Sequence, residues 1–341
     1  MKPLPDHLAD LIGQPVAAID TPALVVDLDA MSRNAQRMAE FARRLKVRWR
    51  PHAKMHKSSE LALFLMQAGA VGACVQKTSE AEAMARGGVR DIFITNEVIA
   101  PLKLRRVAAL AGHLHAMGGR LAIAVDHATG IERLAEAMEA VAPEGVSIDV
   151  FVEIDVGHGR CGIPPGAPAV ALAEAIVRQP RLRFAGLQAY QGRAQHLRTP
   201  DERRQAIARA VQAVQATLGW LGNAGVPAPL VTGAGTGTFA LEAASGVYGE
   251  LQTGSFLFMD ADYAANARDP AQPAFEHALF VRSQVMSVAR DHVVCDAGHK
   301  SHAIDSGLPR VAGPGAGALQ YFNGGDEHGV LRVVEPGAAL P

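Results

Sequence analysis

The chain has little cysteine and no stretch that would direct it to a membrane. Only Cys74, Cys161 and Cys295 occur among its 341 residues, and no Cys-x-x-Cys pair is present. An odd number of widely spaced cysteines is typical of a reducing compartment rather than of a disulfide framework. No apolar run reaches transmembrane length, and the N-terminus lacks the apolar core of a signal peptide. These absences predict a cytoplasmic protein with no membrane partner.

The chain also lacks an excess of either charge. Its formal net charge is -1, its pI is about 6.9, and it contains no Lys/Arg-rich tract, so we expect no nucleic-acid partner. Apolar residues are plentiful: 49% of the chain is hydrophobic and 20% is charged. A chain of this length and composition can bury a large core and form one large domain with a small one.

Short β-rich runs alternate with alanine-rich amphipathic helices along most of the chain. The predicted strands are Val47–Arg50, Val71–Val75, Asp91–Thr95, Leu121–Val125, Ile148–Ile154, Phe184–Ala189, Leu230–Thr232 and Glu250–Leu251. The predicted helices are Ser58–Gln67, Thr78–Arg86, Pro101–Leu110, Thr129–Val141, Pro168–Arg178, Pro200–Gly222 and a short one at Phe239–Ala244. Eight strands with helical crossovers predict an α/β protein with a TIM-type (β/α)8 barrel. A doubly wound parallel sheet is the alternative, because periodicity does not separate the two.

Two segments lie outside this alternation. An early strand at Ala23–Asp27 precedes the first helix, and β-runs without helices follow Arg268, at Leu279–Ser287, His292–Asp296 and Val330–Val334. We predict a barrel domain at residues 29–268 and a small antiparallel β-rich domain formed by residues 1–28 plus 269–341. The last run leads into the turn signal Glu335-Pro336-Gly337, and the chain ends at Pro341 without a return strand, which predicts an incomplete C-terminus.

Polar and glycine-rich residues follow the predicted strands, at the end of the barrel where such folds hold their active sites. Lys54 follows the first strand. Burial and neighbouring cations can lower the pKa of a lysine at this place until its amine is a nucleophile. The later strand ends contribute Gln76-Lys77, Asn96-Glu97, Asp126, Glu153, Asp155, the loop 157–162, Tyr190-Gln191-Gly192, and the loops 232–238 and 252–255.

The loops after the seventh and eighth strands predict a phosphate site. Gly233, Gly235 and Gly237, together with Gly254 and Ser255, would let backbone N–H groups approach an anion, and threonine or serine hydroxyls would add donors. The alternative is that these glycines serve only tight turns. A dinucleotide fingerprint fits poorly, because the glycines are spaced Gly-x-Gly-x-Gly and no acidic residue follows about 20 positions on.

A nucleophilic lysine on the first strand, facing a phosphate cup after the last two strands, matches the requirements of pyridoxal 5'-phosphate. Lys54 would hold the aldehyde carbon, the glycine loops would hold the phosphate, and the ring would span the barrel mouth. Arg160 would meet the pyridine nitrogen and leave it unprotonated, because a guanidinium does not give up its proton. An ordinary loop ion pair is the alternative for Arg160.

Several motifs of the chain occur in the same order in one family. They are RPHAKMHK (50–57), VQKTSE (75–80), TNEV (95–98), GHGRCG (157–162), QAYQG (188–192), GTG (235–237) and FMDADY (258–263). In these motifs, and from residue 20 to residue 329, the chain resembles the fold-type III pyridoxal-phosphate enzymes. It is most similar there to the D-threonine aldolase and 3-hydroxy-D-aspartate aldolase group, with D-serine dehydratase as a nearby relative.

The resemblance implies roles for individual residues. Lys54, rather than Lys57, would be the catalytic residue that carries the cofactor, and Arg160 would lie at the pyridine nitrogen. Positions that bind the cofactor in the family are matched by Gln76, Thr236, Gly254, Ser255 and Tyr263, to which we add Tyr190 and Gly237 as candidates.

The resemblance also implies a divalent cation, Mn2+ or Mg2+, and we expect a homodimer. The family binds the cation through a His-x-Asp or His-x-Cys motif near its C-terminus, which this chain does not contain. We therefore predict no metal ligand, and Asp326-Glu327-His328 is not assigned as one.

The implied activity is retro-aldol cleavage of a D-β-hydroxy-α-amino acid, D-threonine or D-3-hydroxyaspartate, to glycine and an aldehyde. His52, His56 and His196 are candidate acid–base groups, and Arg193 or Arg198 could receive a second carboxylate. The alternatives on the same cofactor are β-elimination, as in D-serine or 3-hydroxyaspartate dehydratase, and racemisation. A non-catalytic cofactor carrier is a different class, against which the β-rich tail argues.

Overall fold

The computed structural model describes residues 6–335 and residue 340. The helices are α1 (Asp6–Ala9), α2 (Leu28–Leu45), α3 (Ser59–Gln67), α4 (Thr78–Arg86), α5 (Pro101–Ala116), α6 (Ala128–Val141), α7 (Ala167–Val177), α8 (Pro200–Asn223), α9 (Phe239–Ala244) and α10 (Ala261–Ala264). The strands are β1 (Ala23–Val26), β2 (Arg48–Trp49), β3 (Ala73–Val75), β4 (Asp91–Ile94), β5 (Arg120–Val125), β6 (Ile148–Glu153), β7 (Leu182–Ala189), β8 (Val231–Gly233), β9 (Glu250–Leu251), β10 (Leu279–Arg282), β11 (Val285–Val288), β12 (Val293–Cys295), β13 (Leu319–Asn323) and β14 (Gly329–Val333). None of the described helices is long and apolar enough to cross a membrane.

Strands β2 to β9 form one parallel sheet in the order β2-β9-β8-β7-β6-β5-β4-β3. The sheet closes on itself because the chain after β2 bonds to the chain around β3. Val71 N donates to Trp49 O and Cys74 N donates to Pro51 O, both at 2.8 Å, and His52 forms a parallel bridge with Cys74. The predicted (β/α)8 barrel is confirmed, and the doubly wound alternative is wrong because such a sheet is open.

Alternate residues of each barrel strand face two different apolar environments, as the two-residue period of a strand requires. On β4, Ile92 and Ile94 pack with residues of the surrounding helices, whereas Phe93 packs with Cys74 and Phe151 in a separate cluster. The ring centroids of Phe93 and Phe151 are 4.7 Å apart. Both faces are buried, so these strands appear in the sequence as nearly continuous apolar runs, which made them recognisable.

A buried ion-pair network joins β2, β4 and β9. Arg50, 5% exposed, donates from Nε to Glu250 Oε1 at 3.0 Å and pairs through Nη1 with Asp91. Arg48 Nε lies 3.0 Å from the other oxygen of Glu250. Burial alone would lower the pKa of the Arg50 guanidinium, but the Glu250 and Asp91 carboxylates outweigh it and raise the pKa. Arg50 is therefore a fixed cation that ties the first barrel strand to the last.

The chain divides into two compact units, the barrel unit (residues 32–258 and 263–276) and the β unit (residues 6–31, 259–262 and 277–335 of the described chain). In the β unit, β1 pairs antiparallel with β10, with Ala23 opposite Arg282. Strands β11 to β14 form an antiparallel sheet in the order β11-β12-β14-β13. The predicted small antiparallel β region after the barrel is thereby confirmed.

The strand predictions were incomplete in the β unit. The run Leu279–Ser287 forms two strands, β10 and β11, and β13 was missed. Only Tyr321 of β13 is buried, so its sequence lacks the alternation that identifies a strand. Strand β14 pairs with β12 and β13, which both precede it, and so needs no return strand for its pairing. The predicted turn at Pro336-Gly337 and the chain end at Pro341 lie outside the described residues.

The compact units divide the chain differently from the boundary expected at residue 268. Residues 263–276 group with the barrel, where the Phe275 ring lies 6.0 Å from that of Phe239 and 5.5 Å from that of Phe256. Glu276 of this segment accepts a hydrogen bond at its backbone oxygen from Asn34 Nδ2 at 2.7 Å. A change from helical to β-rich pattern does not reveal such contacts. The domain limits 29–268 and 1–28 plus 269–341 stay predictions.

Replacing Arg50 by methionine should lower the free energy of unfolding by about 3–5 kcal/mol, because it removes the buried partner of the Glu250 carboxylate. Arg48→Met is the matched control, since Arg48 contacts the same carboxylate but its side chain is 44% exposed. We expect a loss of about 1 kcal/mol or less for the control. Urea denaturation followed by circular dichroism measures both losses. Equal losses would show that burial does not distinguish the two arginines.

Candidate active site

One pocket lies within the barrel unit, at the C-terminal ends of the barrel strands. It is lined by His52, Lys54, Met55, Gln76, Thr95, Arg160, Gln188, Tyr190, Ala234, Gly235, Thr236, Gln252, Gly254, Ser255 and Tyr263. All of the predicted cofactor-binding residues except Gly237 belong to this set. Residues from opposite ends of the sequence therefore meet in one pocket, as the closure of the barrel requires.

Lys54 lies in a short 3-10 helix, Ala53–Met55, directly after β2. Solvent reaches its side chain at the open mouth of the pocket, but dense protein surroundings still desolvate its charge. This burial and then the positive charge of Arg160 lower the pKa of the Lys54 ammonium. A lower pKa increases the fraction of neutral amine, which is the form that attacks a carbonyl carbon. Lys54 thus has the electrostatic setting that a nucleophile needs.

His52 is buried and holds the start of this helix in place. Its Nδ1 accepts a hydrogen bond from Lys54 N at 3.2 Å. The ring proton is therefore assigned to Nε2, which lies 3.1 Å from both Gln76 Oε1 and Thr95 Oγ1. Burial and then the Lys54 charge lower the pKa of His52 well below its usual value, so the ring is neutral. These contacts favour a positioning role for His52 over acid–base work.

The other two candidate histidines have different surroundings. His56 Nδ1 accepts from Ser58 N at 3.0 Å, and burial lowers the pKa of His56 to about 4. His56 thus contacts the start of α3 and does not line the pocket. The His196 ring is exposed, and its centroid lies 5.3 Å from that of Tyr263, which lines the pocket. The geometry therefore favours His196 among the acid–base candidates.

Two cationic side chains contact the Tyr190 ring. Lys54 Nζ and Arg160 Cζ both lie 5.7 Å from its centroid, within the range of a cation–π interaction. Arg160 Nη2 also lies 3.8 Å from Glu153 Oε1, and Gln188 Nε2 donates to the other Glu153 oxygen at 2.6 Å. The ion pair is long and the Arg160 side chain is 43% exposed, so its guanidinium remains available to a ligand.

Glu153 carries a proton more readily than an ordinary carboxyl. Burial and then the neighbouring Glu97 carboxyl raise the pKa of Glu153. Two adjacent carboxyls in a buried place disfavour two negative charges. The Glu153 contact with Arg160 is accordingly weaker than that of a full ion pair.

Backbone amides form a cup in the pocket. Within residues 6–335, the N–H groups of Gly235, Thr236, Gly254 and Ser255 have no hydrogen-bond acceptor, and all four residues line the pocket. Thr236 Oγ1 accepts from Phe256 N at 3.0 Å, which leaves its own proton free to donate. Buried amides without acceptors are costly unless a ligand satisfies them, so this cup is suited to an anion.

Gly237 lies behind the cup rather than in it. Its N–H donates to Gln195 Oε1 at 2.9 Å, and a Cβ at this position would lie 2.6 Å from Gln195 O. Close packing on Gln195, rather than the tight turn that was the alternative for the loop glycines, therefore accounts for Gly237. No local sequence signal identified Gln195, which follows the sixth predicted strand by several residues. Thr95, Gln188 and Gln252 also line the pocket, although no cofactor-binding role was predicted for them.

The two arginines proposed for a second carboxylate do not line the pocket. Arg198 Nη1 donates to Asn266 Oδ1 at 2.7 Å. Arg193 lies beside the loop of residues 157–162, where its Nη2 would be 3.6 Å from a Cβ on Gly159.

One group of described side chains has the spacing of metal ligands. Ligand atoms of Glu97, Asp126 and Cys161 all lie within 4.8 Å of one another. Mn2+ and Mg2+ prefer oxygen ligands, whereas burial and then the Glu97 carboxylate raise the pKa of the Cys161 thiol to about 11. Asp126 Oδ2 already accepts from Gly162 N at 3.1 Å. This donor set fits either ion poorly, and we assign no metal ligand.

A buried carboxyl lies on α9, directly after the glycine loop. Glu242 is 1% exposed, and its Oε1 accepts from Thr238 Oγ1 at 2.7 Å. Its Oε2 has no partner among the described residues. Burial raises the pKa of Glu242 to about 7. The protonated form reduces negative charge close to the proposed anion cup.

Known proteins share both the fold and the motifs of this chain. Residues 26–262 match the family model of the alanine racemase N-terminal domain, and residues 278–341 match a model of a serine dehydratase domain. The chain is 45% identical over 331 residues to a D-threonine aldolase of Arthrobacter sp., covering 96% of this chain and 84% of the relative. It is 40% identical over 328 residues to a 3-hydroxy-D-aspartate aldolase of Paracoccus denitrificans (strain Pd 1222), covering 94% and 82%. The crystal structure of D-threonine aldolase from Filomicrobium marinum matches with a TM-score of 0.88 at 46% identity, over 94% of this chain and 84% of that chain.

The chain therefore belongs to the alanine racemase-like family of fold-type III pyridoxal-phosphate enzymes. The family resemblance inferred from the motifs is confirmed. The similarity of the chain to a D-threonine aldolase and to a 3-hydroxy-D-aspartate aldolase extends over both the barrel and the C-terminal antiparallel sheet.

Glu242→Gln should stabilise the protein at pH 8 and leave its stability unchanged near pH 4. The pKa of Glu242 is about 7 in the folded state against 4.5 for a free side chain. Stability linked to this proton is fully present below the free-chain pKa and is lost as pH rises through the folded value. The variant should therefore gain roughly 3 kcal/mol at pH 8, at about 1.4 kcal/mol per pKa unit. Denaturation at several pH values measures the gain, with Glu174→Gln as the control because the Glu174 side chain is 45% exposed. A gain that did not change with pH would contradict the buried ionisation.

Proposed function

We propose that this chain is a pyridoxal-phosphate-dependent lyase that cleaves D-β-hydroxy-α-amino acids to glycine and an aldehyde. The observation that carries the proposal is the arrangement of Lys54 and a cup of unpaired amides in one pocket of a fold-type III barrel. The identities of 45% and 40% to a D-threonine aldolase and a 3-hydroxy-D-aspartate aldolase support D-threonine or D-3-hydroxyaspartate as the substrate.

The pocket residues fit pyridoxal 5'-phosphate. The amides of Gly235, Thr236, Gly254 and Ser255 would bind its phosphate, and the Lys54 amine would hold its aldehyde carbon. When bound, the cofactor withdraws electrons from the substrate carbon next to the amino group. Gln76, Tyr190 and Tyr263 line the pocket between these ends and would contact the ring or its substituents.

The chain's own cations then have distinct tasks. Arg160 would lie at the pyridine nitrogen and would leave it unprotonated, because the guanidinium keeps its proton. Lys54, with its lowered pKa, would be released by the substrate amine and could hold or return a proton at the substrate's α-carbon. Tyr190 would orient both cations through its ring.

Cleavage of the Cα–Cβ bond requires removal of the proton from the β-hydroxyl. We assign this task to His196, because its exposed ring lies next to Tyr263, which lines the pocket.

The divalent cation, Mn2+ or Mg2+, stays a prediction from the family resemblance. A Lewis acid could polarise the β-hydroxyl, but Glu97, Asp126 and Cys161 fit such an ion poorly, so no step is assigned to a metal. The homodimer and the cytoplasmic location likewise stay predictions.

β-Elimination is the second candidate reaction. It is favoured by the match of residues 278–341 to a serine dehydratase domain model. The same pocket could support it, since both reactions begin with an amino acid bound through its amine to the cofactor. The products separate the two, because elimination releases ammonia and a 2-oxo acid.

Lys54→Ala should abolish covalent attachment of the cofactor, whereas Lys57→Ala should retain it. Lys57 is the matched control because its side chain is 59% exposed and its Nζ pairs with Glu80. Borohydride reduction of cofactor-loaded protein, followed by peptide mass mapping, locates the attachment. Cofactor found on Lys57 would overturn the assignment.

Purified protein loaded with pyridoxal phosphate should convert D-threonine to glycine and acetaldehyde, or D-3-hydroxyaspartate to glycine and glyoxylate. L-Threonine is the stereochemical control and should not react. Glycine, aldehyde, ammonia and 2-oxo acid are assayed together, with and without EDTA. Ammonia with a 2-oxo acid and no glycine would replace the aldolase proposal by the dehydratase one. Loss of activity in EDTA, restored by Mn2+, would support the predicted cation.

A further inference from the structure

Gln195 lies at the centre of the contacts behind the phosphate cup. It belongs to the short 3-10 helix Arg193–His196, and it has no exposure to solvent. Its Nε2 donates to Gln191 O at 3.1 Å and to Thr238 Oγ1 at 2.7 Å. Its Oε1 accepts from Gly237 N at 2.9 Å. The side chain thus connects its own segment to the glycine loop through three buried hydrogen bonds.

Only one orientation of the Gln195 amide satisfies these partners. Gln191 O can only accept and Gly237 N–H can only donate, so turning the amide over would place like groups against each other. Since Thr238 Oγ1 accepts from Gln195, its own proton is free for Glu242 Oε1, to which it donates at 2.7 Å. The direction of every bond in this chain of contacts is therefore determined.

Two loop glycines pack directly on Gln195. A Cβ at position 235 would lie 2.5 Å from Gln195 Oε1, and one at position 237 would lie 2.6 Å from Gln195 O. At position 237 the close atoms are backbone, so glycine is required there, whereas a side chain at position 235 would displace the Gln195 amide from its hydrogen bonds. The course of the loop, which leaves the Gly235 and Thr236 amides open to the pocket, depends on contact with Gln195.

The same residue adjoins the part of the pocket where substrate would bind. Asn266 Nδ2 donates to Gln195 O at 2.9 Å. His196 directly follows Gln195 in the chain, and its ring centroid lies 5.3 Å from that of Tyr263. A shift of Gln195 would therefore move both the anion cup and His196.

We propose that Gln195 is a positioning residue that couples the anion cup to the segment carrying His196. Phosphate binding would then hold His196 in place, and by linkage the placement of that segment would strengthen phosphate binding. The inference rests on the proposed function for the identity of the anion as the cofactor's phosphate.

Gln195→Leu removes all three side-chain hydrogen bonds at similar volume. Gln195→Met removes the same hydrogen bonds with an unbranched side chain of similar length and no charge, so it decides the question if the leucine variant does not fold. Gln272→Leu is the matched control, because Gln272 Nε2 donates to Gly237 O at 3.1 Å and so contacts the same glycine from another segment.

The measurements distinguish the contribution of the phosphate to binding from that of the rest of the cofactor. Dissociation constants of the full-length apoprotein are measured by absorbance for pyridoxal phosphate and for pyridoxal, which lacks the phosphate. Gln195→Leu should weaken pyridoxal phosphate binding roughly tenfold, with a similar loss for Gln195→Met, and both should leave pyridoxal binding within about twofold. Hydrogen exchange with inorganic phosphate should show protection of residues 193–197 in the wild type and less protection in Gln195→Leu.

Equal loss of affinity for both ligands would mean that Gln195 only supports the fold, and it would overturn the proposal. So would unchanged affinity for pyridoxal phosphate in both Gln195 variants, or an equal loss in Gln272→Leu. If the wild type binds no pyridoxal phosphate, the proposed function fails instead. The coupling is then judged from the protection by inorganic phosphate alone, and its absence in the wild type would overturn the coupling as well.

Discussion

The contact on which the rest of the structure depends is the seam between the first and last barrel strands. Arg50 and Glu250 form a buried ion pair there, and β2 pairs with β9 in parallel. The pairing of β2 with β9 brings Lys54, just after β2, to the same pocket as the loops after β8 and β9. Without this pairing, β2 would remain only beside β3, and the lysine would lie at the far edge of the sheet from the amide cup. The seam therefore creates the site as well as the barrel.

Burial then determines the charges around that site. The pKa of Lys54 is lowered, and those of Glu153 and Glu242 are raised, because each group is buried without a close ion pair that would stabilise its charged form. The pocket consequently combines a reactive amine with unpaired amides, and the buried carboxyls of Glu153 and Glu242 outside its lining carry reduced negative charge. Such surroundings favour an anionic ligand over a cation. This preference agrees with the poor fit of Glu97, Asp126 and Cys161 to Mn2+ or Mg2+.

Much of the fold could be predicted because parallel barrel strands are buried on both faces and their helices are strongly amphipathic. Strand β9 was predicted with its observed bounds, and so were α4 and α9. Strand β13 was not predicted, since only Tyr321 is buried there and the pairing partners, not the local pattern, make it a strand. The amide cup was predicted from its glycines, but Gly237 does not belong to the cup because its N–H donates to Gln195 Oε1.

The sequence by itself determined the order of strands and helices, the position of Lys54 after the first strand and the glycine-rich loops after the last two. These features are local, since they depend on periodicity and on residue types next to each other in the chain. Only the tertiary structure decided which amides remain unpaired, which histidine packs against Tyr263 and why Gly237 is a glycine. Each of these depends on Gln195, Tyr263 or another residue distant in sequence, and a hydrogen bond or a burial-dependent pKa exists only once the barrel has closed.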